Sequence, residues 1–303
     1  MKRLVVIVLN WNGYDDTAAL LPTLARCRVP EGWSAHVLVV DNGSTDGSAE
    51  RLCEAFPEIE VLALGENRMF AGGNNAGLTH ALEHGADAMM LLNNDTEADP
   101  GLYGKLLLAL EQDPRAGAAA PLIYHAPPGD LIWYAGGTCA PALGHSAHRG
   151  LREKDRGQYR EIESTGYLTG CCLLAPREVW EKVGLLDPRY HIYAEDADWS
   201  LRARTAGYRL LFVPTARLWH KVSSSSGGAS NAWKIYQRLR ANLRLFGTHA
   251  RGFGRATWLP ALLGQQVVLM SWLIVRGHMT AAAAVPRALW DAMRGRPAGE
   301  VRR

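Results

Sequence analysis

The sequence predicts a mostly parallel α/β sheet with helices on both faces, followed by amphipathic C-terminal helices. Three observations carry this expectation. Short apolar runs recur through residues 1–123, helical stretches separate them, and three of the runs stop abruptly on Asn or Asp. Strands that are apolar on both faces belong to parallel sheets buried between helix layers.

The elements follow in order. Leu4–Leu9 is a continuous apolar strand, and residues 15–26 place Leu20, Leu21 and Leu24 on one side of a helix. His36–Val40 is a second strand ending at Asp41, Ser44-Thr45-Asp46 opens a helix to about Ala55, and Ile59–Leu64 is a third strand. A helix over 73–84, a strand over 87–92, a helix over 100–111 and a strand over 118–123 complete the first half. Right-handed crossovers put the carboxyl ends of such strands at one edge, where ligands bind.

Residues 124–165, rich in Gly, Pro, His and Arg, read as an excursion over that edge. Order returns with a strand over 167–174, a helix from Pro176, a helix over 195–205 stopped by Gly207, and a strand over 208–213. Ser223–Gly228 reads as a mobile loop by composition. Residues 230–246 form an amphipathic helix with Trp233, Tyr236, Leu239, Leu243 and Phe246 on one side. Residues 258–275 are almost long enough to span a bilayer, but Pro260, Gln265 and Gln266 weaken a span. With Trp258, Trp272, Arg255 and Arg276 they fit a helix lying in a membrane interface, the alternative being a helix packed on the body. The division expected is a body over 1–250, with halves 1–123 and 124–250, and a basic membrane-associating segment over 251–303.

Composition bounds the function. A chain of 303 residues, 48% apolar and 21% charged, builds a large core and is not disordered. Five scattered cysteines without a CxxC pair argue for a reducing compartment. The N-terminus begins like a signal peptide, but its six-residue apolar run without a cleavage site reads better as a first strand. The net charge of +3 is uneven: residues 251–303 hold eight arginines, no lysine and two acids, leaving the body slightly acidic. Such a tail suggests an anionic surface. No basic motif interleaved with aromatics points to nucleic acid.

The polar strand ends are Asn10-Trp11-Asn12, Asp41-Asn42-Gly43-Ser44 and Asn93-Asn94-Asp95. Each alone is a turn signal; three converging on one edge form a candidate pocket. Asp95 beside two amides suits a hard divalent cation shared with a diphosphate, which supplies the remaining oxygens. The run Ala71–Gly77 is glycine-rich and opens a helix, so its N–H groups can meet an anion. Glu195, Asp196 and Asp198 crowd one helix start, a place acids favour in any case. Crowding raises a carboxyl pKa, which is useful in a general base.

NWNG at 10–13, VVDNGSTDGS at 39–48, the stretch to AGGNNAG at 67–77, LLNNDT at 91–96, TGCCLL at 169–174 and YAEDADWSLR at 193–202 together resemble a family 2 glycosyltransferase of the rhamnosyltransferase-like branch. The resemblance spans about residues 3–250 and implies a GT-A fold. It implies that Asn10 and Asn12 sit by the nucleotide with Asn42 and Asn94, that Asp41 meets the base, and that Gly73 and Asn74 lie against diphosphate or sugar. Asp95 matches the metal-binding DXD position, although Asn93 replaces its first acid. His220 matches a further metal ligand of some relatives; the alternative is a histidine packed beside Trp219. Asp196 of the Glu195–Asp196 pair matches the base of an inverting single displacement, and Gly170, Asp198 and Trp199 would belong to the acceptor pocket.

The function implied is transfer of a sugar, with L-rhamnose from dTDP-rhamnose ahead of UDP-sugars, using Mg²⁺ or Mn²⁺. The acceptor is a glycan or lipid-linked hydroxyl in cell-surface polysaccharide synthesis, and the place is the inner face of the cell membrane, peripherally held. The alternatives are a nucleotidyltransferase or NAD-type enzyme, for which the glycine fingerprint is missing, and a non-catalytic nucleotide- or sugar-binding relative.

Overall fold

The computed structural model describes residues 1–126, 129–222 and 231–296; the expected loop Ser223–Gly228 lies outside them. The chain runs β1 (Lys2–Asn10), α1 (Tyr14–Ala25), β2 (Trp33–Asp41), α2 (Ser48–Ala55), β3 (Glu60–Ala63), α3 (Met69–Glu83), β4 (Ala88–Asn93), β5 (Thr96–Ala98), α4 (Leu102–Gln112) and β6 (Ala116–His125). The excursion contains β7 (Ile132–Tyr134), β8 (Gly137–Ala140), β9 (His145–His148) and β10 (Glu163–Ser164). Then come β11 (Cys172–Pro176), α5 (Arg177–Val183), α6 (Glu195–Thr205), β12 (Arg209–His220), α7 (Ala232–His249), α8 (Gly254–Val275) and α9 (Met279–Met293).

The main sheet is ordered β3-β2-β1-β4-β11-β6-β12-β10, with β5 added to β12 and β7 to β6. β1, β2, β3 and β4 are parallel, and β6 is parallel to β12. The order reverses between β1 and β4, the kind of switch point where α/β sheets bind ligands. Register aligns the polar ends there: Asn10 pairs with Asp41, and Leu9 with Asn93.

β11 departs from the expected strand over 167–174. It runs antiparallel to β4, pairing Cys172 with Leu92, so the turn before it reaches the carboxyl edge of β4. β12 also outruns its expected end at Val213. A register shift between Val213 and Arg217 lets it continue to His220, which pairs with Thr96 of β5. That pairing carries His220 to the residue after Asp95.

α3 begins at Met69, before the glycine run, so Gly73 and Gly77 are interior helical positions. They allow close packing on the sheet. A Cβ on Gly77 would stand 2.6 Å from Ile7 Cγ2, and one on Gly73 would stand 2.5 Å from Leu9 Cδ1.

The core has two parts. One fills the space between sheet and helices, and the other joins Tyr167, Tyr190, Ala197 and Leu201 to the apolar faces of α7, α8 and α9. The expected boundary at residue 250 falls between α7 and α8, yet α7 packs on α9, where Tyr236 Oη donates to the buried Asp291 at 3.0 Å. α8 docks by one side: Thr257 Oγ1 donates to Ala142 O at 2.7 Å and Gln265 Nε2 to Leu143 O at 3.1 Å. Its other side exposes Val267, Val268, Trp272 and Val275.

Candidate active site

The donor side is a closed hydrogen-bond network. Asn10 Nδ2 donates to Asp41 Oδ2 at 2.8 Å, and Asn10 Oδ1 accepts from Thr17 at 2.8 Å. Asp41 also accepts from the Ser44 N–H at 3.0 Å and the Ser44 hydroxyl at 2.6 Å. Asn12, at φ 49°, accepts from the Thr45 N–H at 2.8 Å. Asn42 holds the entry to α3 through Asn67, Arg68 and Met69. Asn94 reaches across the switch point to Thr17 at 3.0 Å. The structure therefore places Asn10, Asp41, Asn42 and Asn94 on one edge, Asn10 and Asp41 bonded to each other, Asn94 to Thr17, and Asn42 to the entry of α3.

The candidate metal position lies beyond β4. Asp95 Oδ1 stands 3.1 Å from His220 Nε2, and both side chains are largely enclosed. Adjacent ligands of an octahedral cation with bonds of about 2.1 Å are about 3 Å apart, so this oxygen and nitrogen fit one edge of a coordination shell. Among the described residues no cluster of three His, Cys, Asp or Glu side chains could hold a metal. The remaining positions would fall to substrate oxygens and water, as hard cations at phosphate sites require. His220 Nδ1 is buried without a hydrogen-bond partner among the described residues; Trp133 packs edge-on to the ring at 4.6 Å.

Asp196 stands at the start of α6, in a helix entry where His191, Tyr193 and Ala194 take φ of 59°, 68° and 65°. Its Oδ2 accepts from the Gly170 N–H at 2.8 Å and its Oδ1 from the Ala197 N–H at 2.7 Å. Burial pushes the carboxyl above the usual aspartate range, and the two N–H bonds pull back only part of that shift. Glu195 is buried, and burial followed by the Asp196 charge pushes it well above the glutamate range. Two adjacent carboxyls, both raised by burial and Glu195 the more strongly, are the kind of pair that acid–base chemistry uses. Burial pushes the Cys171 thiol up, and the Asp95 and Asp196 charges add to this, so both carboxylates act on one residue.

Four expected residues take other roles. Gly73 has its N–H inside α3, and the buried Asn74 spends its Nδ2 on Phe70 O at 2.9 Å; the first-turn N–H of Phe70 goes to His191 O at 3.1 Å. The glycine run is therefore a packing device, not an anion cradle. Trp199 is fully buried against Trp180, ring centroids 4.5 Å apart, with its Nε1 donating to Gly184 O at 2.8 Å. Asp198 is a structural tie: burial pushes it up, but hydrogen bonds from His249 at 2.7 Å and Arg202 at 2.8 Å outweigh this and hold it below the ordinary range.

Two walls carried no sequence signal. A Cβ on Gly170 would stand 3.1 Å from Phe70 Cε1, so Phe70 presses on the turn that feeds Asp196. Trp133 arrives from the excursion. Both are apolar residues that reach the site only through long-range packing.

The family model for glycosyl transferase family 2 matches residues 5–184. The chain belongs to glycosyltransferase family 2. This transferase is 31% identical over 263 residues to the N-acetylglucosaminyl-diphospho-decaprenol L-rhamnosyltransferase of Mycobacterium tuberculosis, covering 80% of this chain and 84% of that one. It is 24% identical over 196 residues to the dTDP-rhamnosyl transferase RfbF of Shigella flexneri, covering 64% and 62%. Its fold is similar to GalNAc-T7 with UDP, GalNAc and Mn²⁺ (TM-score 0.64, 18% identity, 84% of this chain and 49% of that one). It is also similar to a Pyrobaculum calidifontis mannosyltransferase with GDP-Man and Mn²⁺ (TM-score 0.56, 18% identity, 96% and 87%). The GT-A fold expected from the motifs is thus the fold of this chain.

Proposed function

We propose that the protein is an inverting, metal-assisted rhamnosyltransferase that moves L-rhamnose from dTDP-rhamnose to a hydroxyl of a lipid-linked glycan. The observation that carries this reading is Asp196, an acid-crowded carboxylate held by two backbone N–H groups, whose charge reaches Cys171 as that of Asp95 does. Each Asp196 oxygen keeps a second lone pair. One accepts the proton of the acceptor hydroxyl, the oxygen of that hydroxyl bonds to C1 of the sugar, and the bond from C1 to the diphosphate breaks. A burial-raised pKa strengthens Asp196 as a base. Asp95 and His220 would hold the divalent cation, Mg²⁺ or Mn²⁺, which when bound stabilises charge on the leaving diphosphate. The donor-side network of Asn10, Asp41 and Asn42 would position the nucleotide. The donor and acceptor follow from what the Mycobacterium and Shigella relatives are named for.

The same reading seats the protein peripherally on the cytoplasmic face of an anionic membrane. α8 is the one helix among the described residues long and apolar enough to cross a bilayer. Its docked side, tied to Ala142 and Leu143, favours lying along the interface with Val267, Val268 and Trp272 turned outward. Turnover of a nucleotide-sugar panel with Mn²⁺ or Mg²⁺ tests the proposal. Release of dTDP from dTDP-rhamnose above all other donors supports it; preference for a UDP-sugar would overturn the donor, and no turnover with any donor would overturn the reaction.

A further inference from the structure

α7 contains Lys234, Arg238, Arg240, Arg244 and His249 and no acid. Three of these are engaged: Arg240 with Arg296 O, Arg244 over the Tyr190 ring at 5.9 Å, and His249 with Asp198. The side chains of Lys234 and Arg238 form no hydrogen bond and no ion pair among the described residues.

Their placement works against the helix. Lys234 lies in the first turn, where the helix dipole repels a cation. Arg238 lies four residues on, where like charges on one face repel each other. Asn231, which caps the helix by accepting from the Lys234 N–H at 3.1 Å, carries no charge to offset either. An anion bound between the two relieves both penalties, and one turn separates them by about 6 Å along the axis, a span that a diphosphate bridges.

The adjoining face of α7, with Trp233 and Arg244, packs on the residues that lead into α6. The Trp233 ring stands 6.5 Å from the Tyr193 ring, three residues before Asp196. The Arg238 charge reaches the Tyr193 and Tyr167 hydroxyls, and Tyr167 also feels Asp196. Arg238, one turn from Lys234, therefore borders the approach to α6, apart from the Asp95–His220 pair suited to a metal.

We propose that Lys234 and Arg238 bind the diphosphate that joins the acceptor's first sugar to its lipid. The proposal rests on the lipid-linked acceptor of the proposed function. It makes the acceptor's charge, as well as its sugar, a determinant of recognition.

The test uses the full chain with EDTA present, so that no metal draws phosphate to the donor site. Calorimetry compares farnesyl diphosphate with farnesol for the native protein and for Lys234→Gln/Arg238→Gln. The expected result is at least ~10-fold weaker binding of farnesyl diphosphate by the variant, the scale of one charged hydrogen bond, with farnesol unaffected. Equal binding of farnesyl diphosphate by both proteins, or equal losses for the two ligands, would overturn it. Vesicles containing phosphatidylglycerol give the second arm. If the variant loses vesicle binding but keeps farnesyl diphosphate, the pair reads membrane headgroups and the proposal fails. Hydrolysis of dTDP-rhamnose by water should be unchanged in the variant. Absence of that hydrolysis in the native protein would count against the donor reading, while the calorimetric result would still stand by itself.

Discussion

The two sides of the site spend their polar groups differently. On the donor side, Asn10, Thr17, Asp41, Ser44 and Asn94 bond to one another at 2.6–3.3 Å, and Asn10 and Asp41 are almost fully buried. On the catalytic side, the buried Glu195 Oε2 and His220 Nδ1 have no hydrogen-bond partner among the described residues. A satisfied bond stabilises by roughly 1 kcal/mol, whereas an orphaned buried group costs about 1–3 kcal/mol. The donor edge is therefore built for rigidity, and the catalytic edge holds its groups in costlier, more reactive states. Substitutions should separate the two: chemistry should fail on one side and the fold on the other.

The largest effect is expected at Asp196. Asp196→Asn removes the base, and its amide NH₂ must also face one of the N–H donors of Gly170 and Ala197. A kcat loss of at least ~10²-fold is expected, the usual scale for a general base, with nucleotide affinity close to native. A loss confined to KM would move the base elsewhere. Next comes Asp95→Ala, which should weaken Mn²⁺-dependent binding of dTDP by at least ~10-fold, the lower end of what disturbing a metal site costs. Unchanged calorimetric affinity in Mn²⁺ would dissociate Asp95 from the metal.

The donor side should respond in stability first. Asn10→Ala removes the donor to Asp41 and the acceptor of Thr17, both inside the sheet edge. A loss of about 1–3 kcal/mol is expected, read as a fall in Tm of roughly 2–10 °C for a chain of this size. Native Tm with weakened nucleotide binding would mean that Asn10 acts on ligand alone, and the contrast between the two sides would dissolve.

What the sequence discloses follows the same division. The donor network is legible because Asn and Asp interrupt apolar strands, and β1, β2 and β4 end where the pattern says they end. The glycine run misleads for a physical reason. Glycine marks both loops and places where a helix must approach a sheet, and only the start of α3 at Met69, itself at φ 59°, decides between them. Trp199 misleads because an acidic helix start suggests an exposed face, while the opposite face of the same turn is core. His220 depends on β12 continuing past an irregularity at Val213, which no local propensity encodes. Phe70 and Trp133 are ordinary apolar residues until distant elements bring them to the site.

The smallest effect expected is at Glu195, and its sign depends on pH. Burial, then the charge of Asp196, raises its folded pKa above the ordinary 4.5. Between that ordinary value and the raised one, the folded protein holds a proton that the unfolded chain has released. Stability must then fall as pH rises through this window, because the folded state binds more protons. Glu195→Gln keeps the shape and removes this titration. Relative to native, the variant should gain stability as pH is raised from about 4.5 toward neutrality, by about 1–3 °C in Tm, while kcat stays far closer to native than in Asp196→Asn. A Tm difference that does not change with pH would mean Glu195 ionises as freely folded as unfolded. The catalytic edge would then hold two ordinary carboxylates, and the contrast with the donor side would rest on His220 alone.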